Sequence, residues 1–151
     1  MHPNVPNKRG RIVLARESYV LNGIFYRIHN RLGRFLLEKQ YGDALEAELN
    51  KLKIPHEREK RLAVRYERSS IPVGTVDFLV DGKIAVDVKA KKMITKDDYF
   101  QMLRYLKACN LELGMIVNFR STYLKPKRVL NSSFKKDSDN SDAAIRIIRV
   151  A

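Results

Sequence analysis

The sequence predicts an α/β domain in which a small mixed β-sheet is flanked by helices. Three observations predict it. Two segments of helical period open the chain, a period of two takes over from Arg61, and a third helical segment then separates two apolar strand runs. The predicted order is α-α-β-β-β-α-β, without internal repeats.

The first helix is Glu17–Leu32, where Val20, Ile24, Ile28 and Leu32 recur every four residues with Leu21 and Phe25 beside them. Leu36–Leu52 is the second, with Leu37, Tyr41, Ala44, Leu45, Leu49 and Leu52 on one stripe, and Pro55 ends it. From Arg61 the alternation of Leu62, Val64 and Tyr66 with Arg61, Ala63 and Arg65 predicts a strand. Ile71–Val80 and Ile84–Ala90 are two more, joined across Asp81-Gly82-Lys83. Thr95 opens a helix running to about Cys109, with Asp97 and Asp98 in the first turn, where the helix dipole favours acids. Leu113–Phe119 is a short apolar strand. Asn131–Asp142 reads as a linker, and Ile145, Ile147, Ile148 and Val150 end the chain with a segment suited to an edge strand or to another subunit.

The chain has 151 residues, of which 44% are hydrophobic, enough for one core. That fraction, with few Gly and Pro, excludes collagen-like and wholly disordered classes. One cysteine, Cys109, excludes an internal disulfide framework and fits a reducing, intracellular setting. No membrane span is expected, because no run of about 18 apolar residues occurs. No secretory signal is expected either, since Met1–Gly10 has no apolar stretch.

Lys and Arg number 30 against 17 Asp and Glu, a net charge of +13. Met1–Arg16 holds four basic residues and no acid, and Phe119–Lys136 holds six and no acid. Glu17–Asn118 has a net charge of only +4. The expected organisation is a basic arm (1–16), a folded domain (17–130) and a polar linker with a tail (131–151). An anionic partner follows, nucleic acid first and an anionic membrane second. The flanks contain no basic amphipathic helix, which argues against the membrane. Lys91, Lys92, Arg120, Lys125, Lys127 and Arg128 are the candidate phosphate contacts. The aromatic residues read as core rather than as a base-stacking platform. The sequence leaves room for a homodimer without specifying one.

Three acids stand in apolar surroundings. Asp77 is in the middle of Val76-Asp77-Phe78-Leu79-Val80. Asp87 shares one face of its strand with Lys89, while Ile84, Val86 and Val88 take the other. Glu38 falls within the apolar stripe of the second helix, as does Glu48, about 15 Å further along. At most one of these two serves the same site as the aspartates. A carboxylate in a core strand costs several kcal/mol unless it is paired or binds a metal. Asp87–Lys89 or Asp77–Lys89 ion pairing is the structural alternative. The chemical alternative is phosphodiester hydrolysis, which uses hard oxygen ligands for Mg²⁺, an activated water and a cation near the developing charge. Asp77, Asp87, one helix glutamate and the Val88 carbonyl offer the ligands, and Lys89 the cation.

Asp77 followed by Asp87-Val88-Lys89 resembles the PD-(D/E)XK nuclease signature. Five blocks in order are similar to the small GxxExxY proteins of that superfamily. They are Leu32–Tyr41, Val76–Lys83, Val86–Ala90, Gln101–Ala108 and Leu113–Phe119, within a span from about Tyr19 to Leu130. The resemblance implies a restriction-endonuclease-like fold and a metal-dependent nuclease using Mg²⁺ or Mn²⁺, on DNA ahead of RNA. It implies metal-binding roles for Asp77 and Asp87 and a catalytic role for Lys89. Glu38 and Tyr41 match the glutamate and tyrosine of GxxExxY. Gln101 and Tyr105 resemble the QxxxY motif of RecB-like nucleases, whose side chains face the active site. Phe35 departs from the family's glycine, and Asp87 replaces the more usual glutamate. A non-catalytic nucleic-acid-binding module that retained the fold is the alternative reading.

One geometric requirement follows. A two-residue Asp-Gly hairpin pairs Asp87 with Val76 and turns Asp77 to the opposite face. A shared metal requires an odd loop centred on Gly82, or a bulge, and the odd register is the one predicted. His2, His29 and His56 form no zinc spacing with the lone cysteine, and neither a P-loop nor a GxSxG elbow is present. His56 and Arg58 are expected just before the first strand, within reach of substrate.

Overall fold

A computed structural model describes residues 12–136 and the two-residue strand at 148–149. Most of the predicted basic arm and most of the predicted linker and tail lie outside the described residues. Helix α1 (Ala15–Leu32) buries Leu21, Ile24, Phe25 and Ile28. Val20 and Leu32, two members of the four-residue repeat, are exposed. A strict spacing of four drifts by about 40° per step around a helix, so such a row leaves the core after two turns. Helix α2 (Glu38–Lys51) starts two residues later than predicted. Leu37 precedes it, and its N–H donates to the Gln40 side chain at 2.9 Å. Tyr41, Leu45 and Leu49 form its buried stripe, while Leu37 and Leu52 at its ends are exposed.

Strand β1 (His56–Tyr66) corrects the prediction at its start. His56 and Arg58 lie inside the strand rather than before it. Charged side chains hide this segment from an apolar pattern because α2 neutralises them. Arg58 Nη1 donates to Asp43 at 2.7 Å and to Glu46 at 3.1 Å. Strands β2 (Ser69–Val80) and β3 (Ile84–Lys89), helix α3 (Lys96–Cys109) and strand β4 (Leu113–Asn118) follow as predicted within a few residues. A short β5 (Lys127–Leu130) was not predicted; four residues, two of them charged, carry no periodic signal. Strand β6 (Ile148–Arg149) pairs with β1, the edge-strand alternative for the tail.

The mixed sheet has the order β5-β4-β3-β2-β1-β6, with β3 and β4 parallel and the other neighbours antiparallel. Helices α1 and α2 cover one face over Phe78, Val80, Ile84, Val86, Val88, Met115 and Val117. Helix α3 covers the other over Leu62, Val76, Leu79, Ala85, Ile116 and Val129. Cys109 is sealed between α3 and the sheet, and burial pushes its thiol up to about 11. This is the predicted α/β sandwich. Among the described residues no helix is long and apolar enough to cross a membrane.

Two local features position the strands. Asp81 and Gly82 both take positive φ (54° and 64°), the mirror-image turn that Asp-Gly favours, closed by Lys83 N–H to Val80 O at 3.0 Å. Lys83 is then an extra residue, so Val80 pairs with Ile84 and Phe78 with Val86. The register is the odd one required, and its continuation sets Asp77 opposite Asp87. Secondly, Phe78 buries towards α1 and α2 but Val76 towards α3, although they are two residues apart. The β1–β2 ladder skips Glu59 and Asp77 at this point, and Glu59 takes a positive φ of 52°.

Candidate active site

The change of face at Asp77 takes its backbone out of the regular ladder and gives it to the neighbouring aspartate. Asp77 N–H donates to Asp87 Oδ1 at 3.2 Å, and Val88 N–H donates to Asp77 Oδ2 at 2.7 Å. The two carboxylates therefore adjoin across the β2–β3 gap. Each has one oxygen held by a backbone N–H and one without a hydrogen-bond donor among the described residues.

Electrostatics make this pair costly. Asp87 is buried, and burial first, then the charge of Asp77, push its pKa up to about 6. Burial also raises Asp77, opposed by its bond from Val88 and by the positive charge of Lys89. Neither ion pair of the structural alternative forms among the described residues. The Lys89 ammonium instead faces Asp98, 3.9 Å from Oδ1. Lys91 Nζ sits 2.5 Å from Asp98 Oδ2, so Asp98 holds two lysines beside the site. Burial raises the Asp98 pKa, but the bonds from Lys91 and Thr95 outweigh it and hold the carboxyl below its ordinary range.

Glu38 and Glu48 separate cleanly. Glu48 accepts from Arg27 at 2.7 Å towards the other end of α2. Glu38, at the start of α2, accepts from Ala90 N–H at 3.2 Å, one residue past Lys89. It shares a cleft of about 180 Å³ with Asp77, Val88, Lys39, Arg58 and Glu59. Its position depends on Tyr41, whose fully buried ring stacks on Phe119 with centroids 4.4 Å apart. The Tyr41 hydroxyl donates to Gly33 O at 2.5 Å and accepts from Leu36 N–H at 3.3 Å, fixing the loop into α2. Gly33 has φ +74°, open to glycine and strained for other residues.

Helix α3 brings its motif to the same end. Tyr105 OH donates to Thr75 O at 3.2 Å, and its electrostatic neighbours include Asp87 and Asp77. Gly74 makes the approach possible, since a Cβ there would lie 2.8 Å from the Tyr105 ring. Gln101, one turn earlier, is half-buried. Tyr105 is therefore held at Thr75, near enough to feel the charge of the aspartates, and Gln101 lies on the same helix side.

The basic candidates divide. Lys91 is bound to Asp98, and Lys92 and Lys125 are exposed. Arg120 Nε donates to Arg34 O at 3.1 Å while Arg34 Nε donates to Arg120 O at 2.8 Å, a reciprocal clasp between two loops. The Lys127 ammonium lies 5.7 Å from the centroid of the Tyr99 ring. Arg128 turns inward, donating to Ser18 OH and Val13 O, and burial lowers its pKa.

Sequence reasoning missed three residues here. Asp98 read only as a helix-dipole acid. Glu59 borders Asp77 because of its unusual backbone, which no residue pattern signals. Asn118, ending the apolar run of β4, accepts from Lys91 N–H at 3.1 Å and donates to Lys91 O at 2.8 Å. A polar residue closing an apolar strand was the available signal.

The donor chemistry suits a hard divalent cation: oxygen atoms only, from two adjoining carboxylates, one buried and one half-buried, whose nearest lysine is directed at Asp98 instead. Among the described residues, however, no three His, Cys, Asp or Glu side chains converge as a preformed metal cluster. No curated protein matches the chain. A protein-family model does match it, over residues 15–129, from the start of α1 to the middle of β5, and that stretch includes the whole Asp77–Asp87–Lys89 site. By that match over three quarters of its length, the chain belongs to the PD-(D/E)XK nuclease superfamily.

Proposed function

We propose that the protein is a metal-dependent nuclease of the GxxExxY type that hydrolyses phosphodiester bonds, in DNA ahead of RNA. The observation that carries this reading is the Asp77–Asp87 pair, a half-buried and a buried acid held side by side with Lys89 directed at a third. Such a pair destabilises the fold unless it has a cationic task, and the superfamily's task is phosphodiester cleavage.

In this reading Asp77, Asp87 and the Val88 carbonyl would hold Mg²⁺ or Mn²⁺, with Glu38, which accepts from Ala90 N–H, as the further carboxylate that would join them. The bound ion supplies Lewis-acid polarisation of the phosphate and a water of lowered pKa. Lys89, two residues beyond Asp87 on the same face, orients the attacking water or offers its ammonium to the charge that develops on the phosphoryl oxygens. Asp98 keeps Lys89 placed. Gln101 and Tyr105 border the site from α3. Lys92, Arg120, Lys125 and Lys127 contact the strand's phosphates, Lys91 joins them when Asp98 releases it, and residues 1–16 are a further basic arm.

The test is cleavage of labelled DNA and RNA with Mg²⁺ or Mn²⁺, beside Asp87→Asn and Lys89→Ala. Loss of at least a hundredfold in rate in both variants is expected. Unchanged cleavage in both removes the site assignment. Binding without cleavage by the unaltered protein favours the alternative, a nucleic-acid-binding module that kept the fold.

A further inference from the structure

The aromatic residues are not all core, as their sequence context suggested. Phe25, Phe78, Phe119 and Tyr41 are buried, but Phe35 is 74% exposed and Tyr123 81% exposed. Met93, 63% exposed, stands with them at the end of the sheet that carries the site. Phe35 lies on the loop into α2, Met93 on the loop after β3, and Tyr123 on the loop after β4.

These three loops are tied into one rim. The Arg34–Arg120 clasp joins the first to the third, Asn118 joins the third to the second through Lys91, and Glu38 joins α2 to Ala90. His29 Nε2 adds a contact to Ser121 O at 2.9 Å. The Arg34 guanidinium lies over the Phe35 ring, 4.7 Å from its centroid. Residues 33–37, 90–96 and 119–126 include six basic residues and no acid.

An exposed ring beside a cation matches one polymer well. A single strand of nucleic acid presents base faces and one negative charge per residue, whereas a duplex hides its base faces within the stack. Phosphates alone need only Lys and Arg, so the rings are the informative part. A second copy of this rim is disfavoured by like charge. We infer that the rim formed by Phe35, Tyr123, Arg34 and Arg120 is a stacking platform for unpaired bases, which makes single strands or unpaired ends the substrate of the Asp77–Asp87 site. The inference rests on the nuclease reading for its destination, but the platform is measurable without catalysis.

The experiment measures fluorescence anisotropy in EDTA with short labelled single-stranded DNA, its RNA equivalent, a fully paired blunt duplex, and an abasic strand of equal charge. The unaltered protein is compared with Phe35→Ala/Tyr123→Ala and with Tyr19→Ala, an exposed aromatic on α1 outside the rim. The double substitution is expected to weaken single-strand binding about tenfold or more and to leave duplex and abasic binding unchanged. The Tyr19→Ala variant behaves as the unaltered protein. The DNA and RNA arms show which strand is preferred.

Equal weakening for strand and duplex, no weakening at all, or the same loss in Tyr19→Ala overturns the platform. So does a change of oligomeric state in the double variant, which makes the rim a protein interface. Cleavage with Mn²⁺ is scored separately. Duplex cleavage with no effect of the double substitution on single-strand binding removes the platform and leaves the nuclease. Stacking without any cleavage removes the nuclease and leaves the platform.

Discussion

The Asn118 side-chain amide pairs with the backbone of Lys91 as a neighbouring strand would, donating to its carbonyl at 2.8 Å and accepting from its N–H at 3.1 Å. It also accepts from Arg120 N–H at 3.3 Å. One buried side chain therefore couples the loops that follow β3 and β4. Asn118→Ala is expected to cost about 1–3 kcal/mol, because two backbone N–H groups lose their acceptor. Urea unfolding measures it, and cleavage is expected to fall beyond the loss of folded protein because Lys89 precedes the loosened loop. An Asn118→Ala protein with the original stability contradicts the pairing.

The Asp87 carboxyl gives a pH signature in the metal-free protein. Its folded pKa, about 6, lies above the ordinary 3.8. The folded state therefore binds the proton more tightly, and stability falls as pH rises from about 4 to 6 and stays lost above. The loss is on the order of 3 kcal/mol. In Asp87→Asn this component is absent, so the variant is expected to be the more stable at pH 7 and near parity at pH 4. The difference between the two urea midpoints across pH isolates the effect. Saturating Mg²⁺ is expected to stabilise the unaltered protein at pH 7 and not the variant.

Tyr41→Phe keeps the stack on Phe119 and removes only the hydroxyl. Gly33 O then loses its donor and Leu36 N–H its acceptor, the two bonds that hold this otherwise exposed loop to the buried Tyr41. A loss of about 1–2 kcal/mol is expected in chemical denaturation. Cleavage is expected to fall as well, since this loop delivers Glu38. A variant equal to the original in both measurements contradicts the role assigned to the hydroxyl.

Asp98→Asn tests the lysine clamp. The amide oxygen still accepts from Thr95 N–H, so α3 keeps its start, but Lys91 and Lys89 lose their counter-charge. A freed ammonium adds a phosphate contact, so nucleic-acid binding in EDTA is expected to strengthen and its logarithmic salt slope to steepen by about one. An unchanged slope means that Lys91 makes no phosphate contact after release.

Much of this was readable from residue patterns, for identifiable reasons. The period switch near Arg61 located the sheet, and acids within Val76–Val80 and Ile84–Ala90 located the site. Asp-Gly flanked by apolar runs gave the hairpin, and the demand that Asp77 meet Asp87 gave its odd register. The first five residues of β1 escaped because Arg58 is neutralised by Asp43 and Glu46, acids that belong to a different element. The change of face at Glu59 and Asp77 escaped because a left-handed glutamate has no sequence signal. Asp98 and Asn118 were visible as residues, but their partners come from other loops. Phe35 and Tyr123 resembled core residues because burial is a property of the whole fold.

Cys109 turns α3 into its own clock. The chain has a single thiol, and it is buried beneath the helix that carries Gln101 and Tyr105, with a pKa of about 11. Alkylating reagents attack the thiolate, so labelling waits for the helix to lift from the sheet. The labelling rate thus counts openings of one layer, without mutation or an added probe. Slower labelling when Mg²⁺ or a single strand is bound would show that occupation of the sheet's end is felt through the helix, recorded by the one atom in the molecule able to report it.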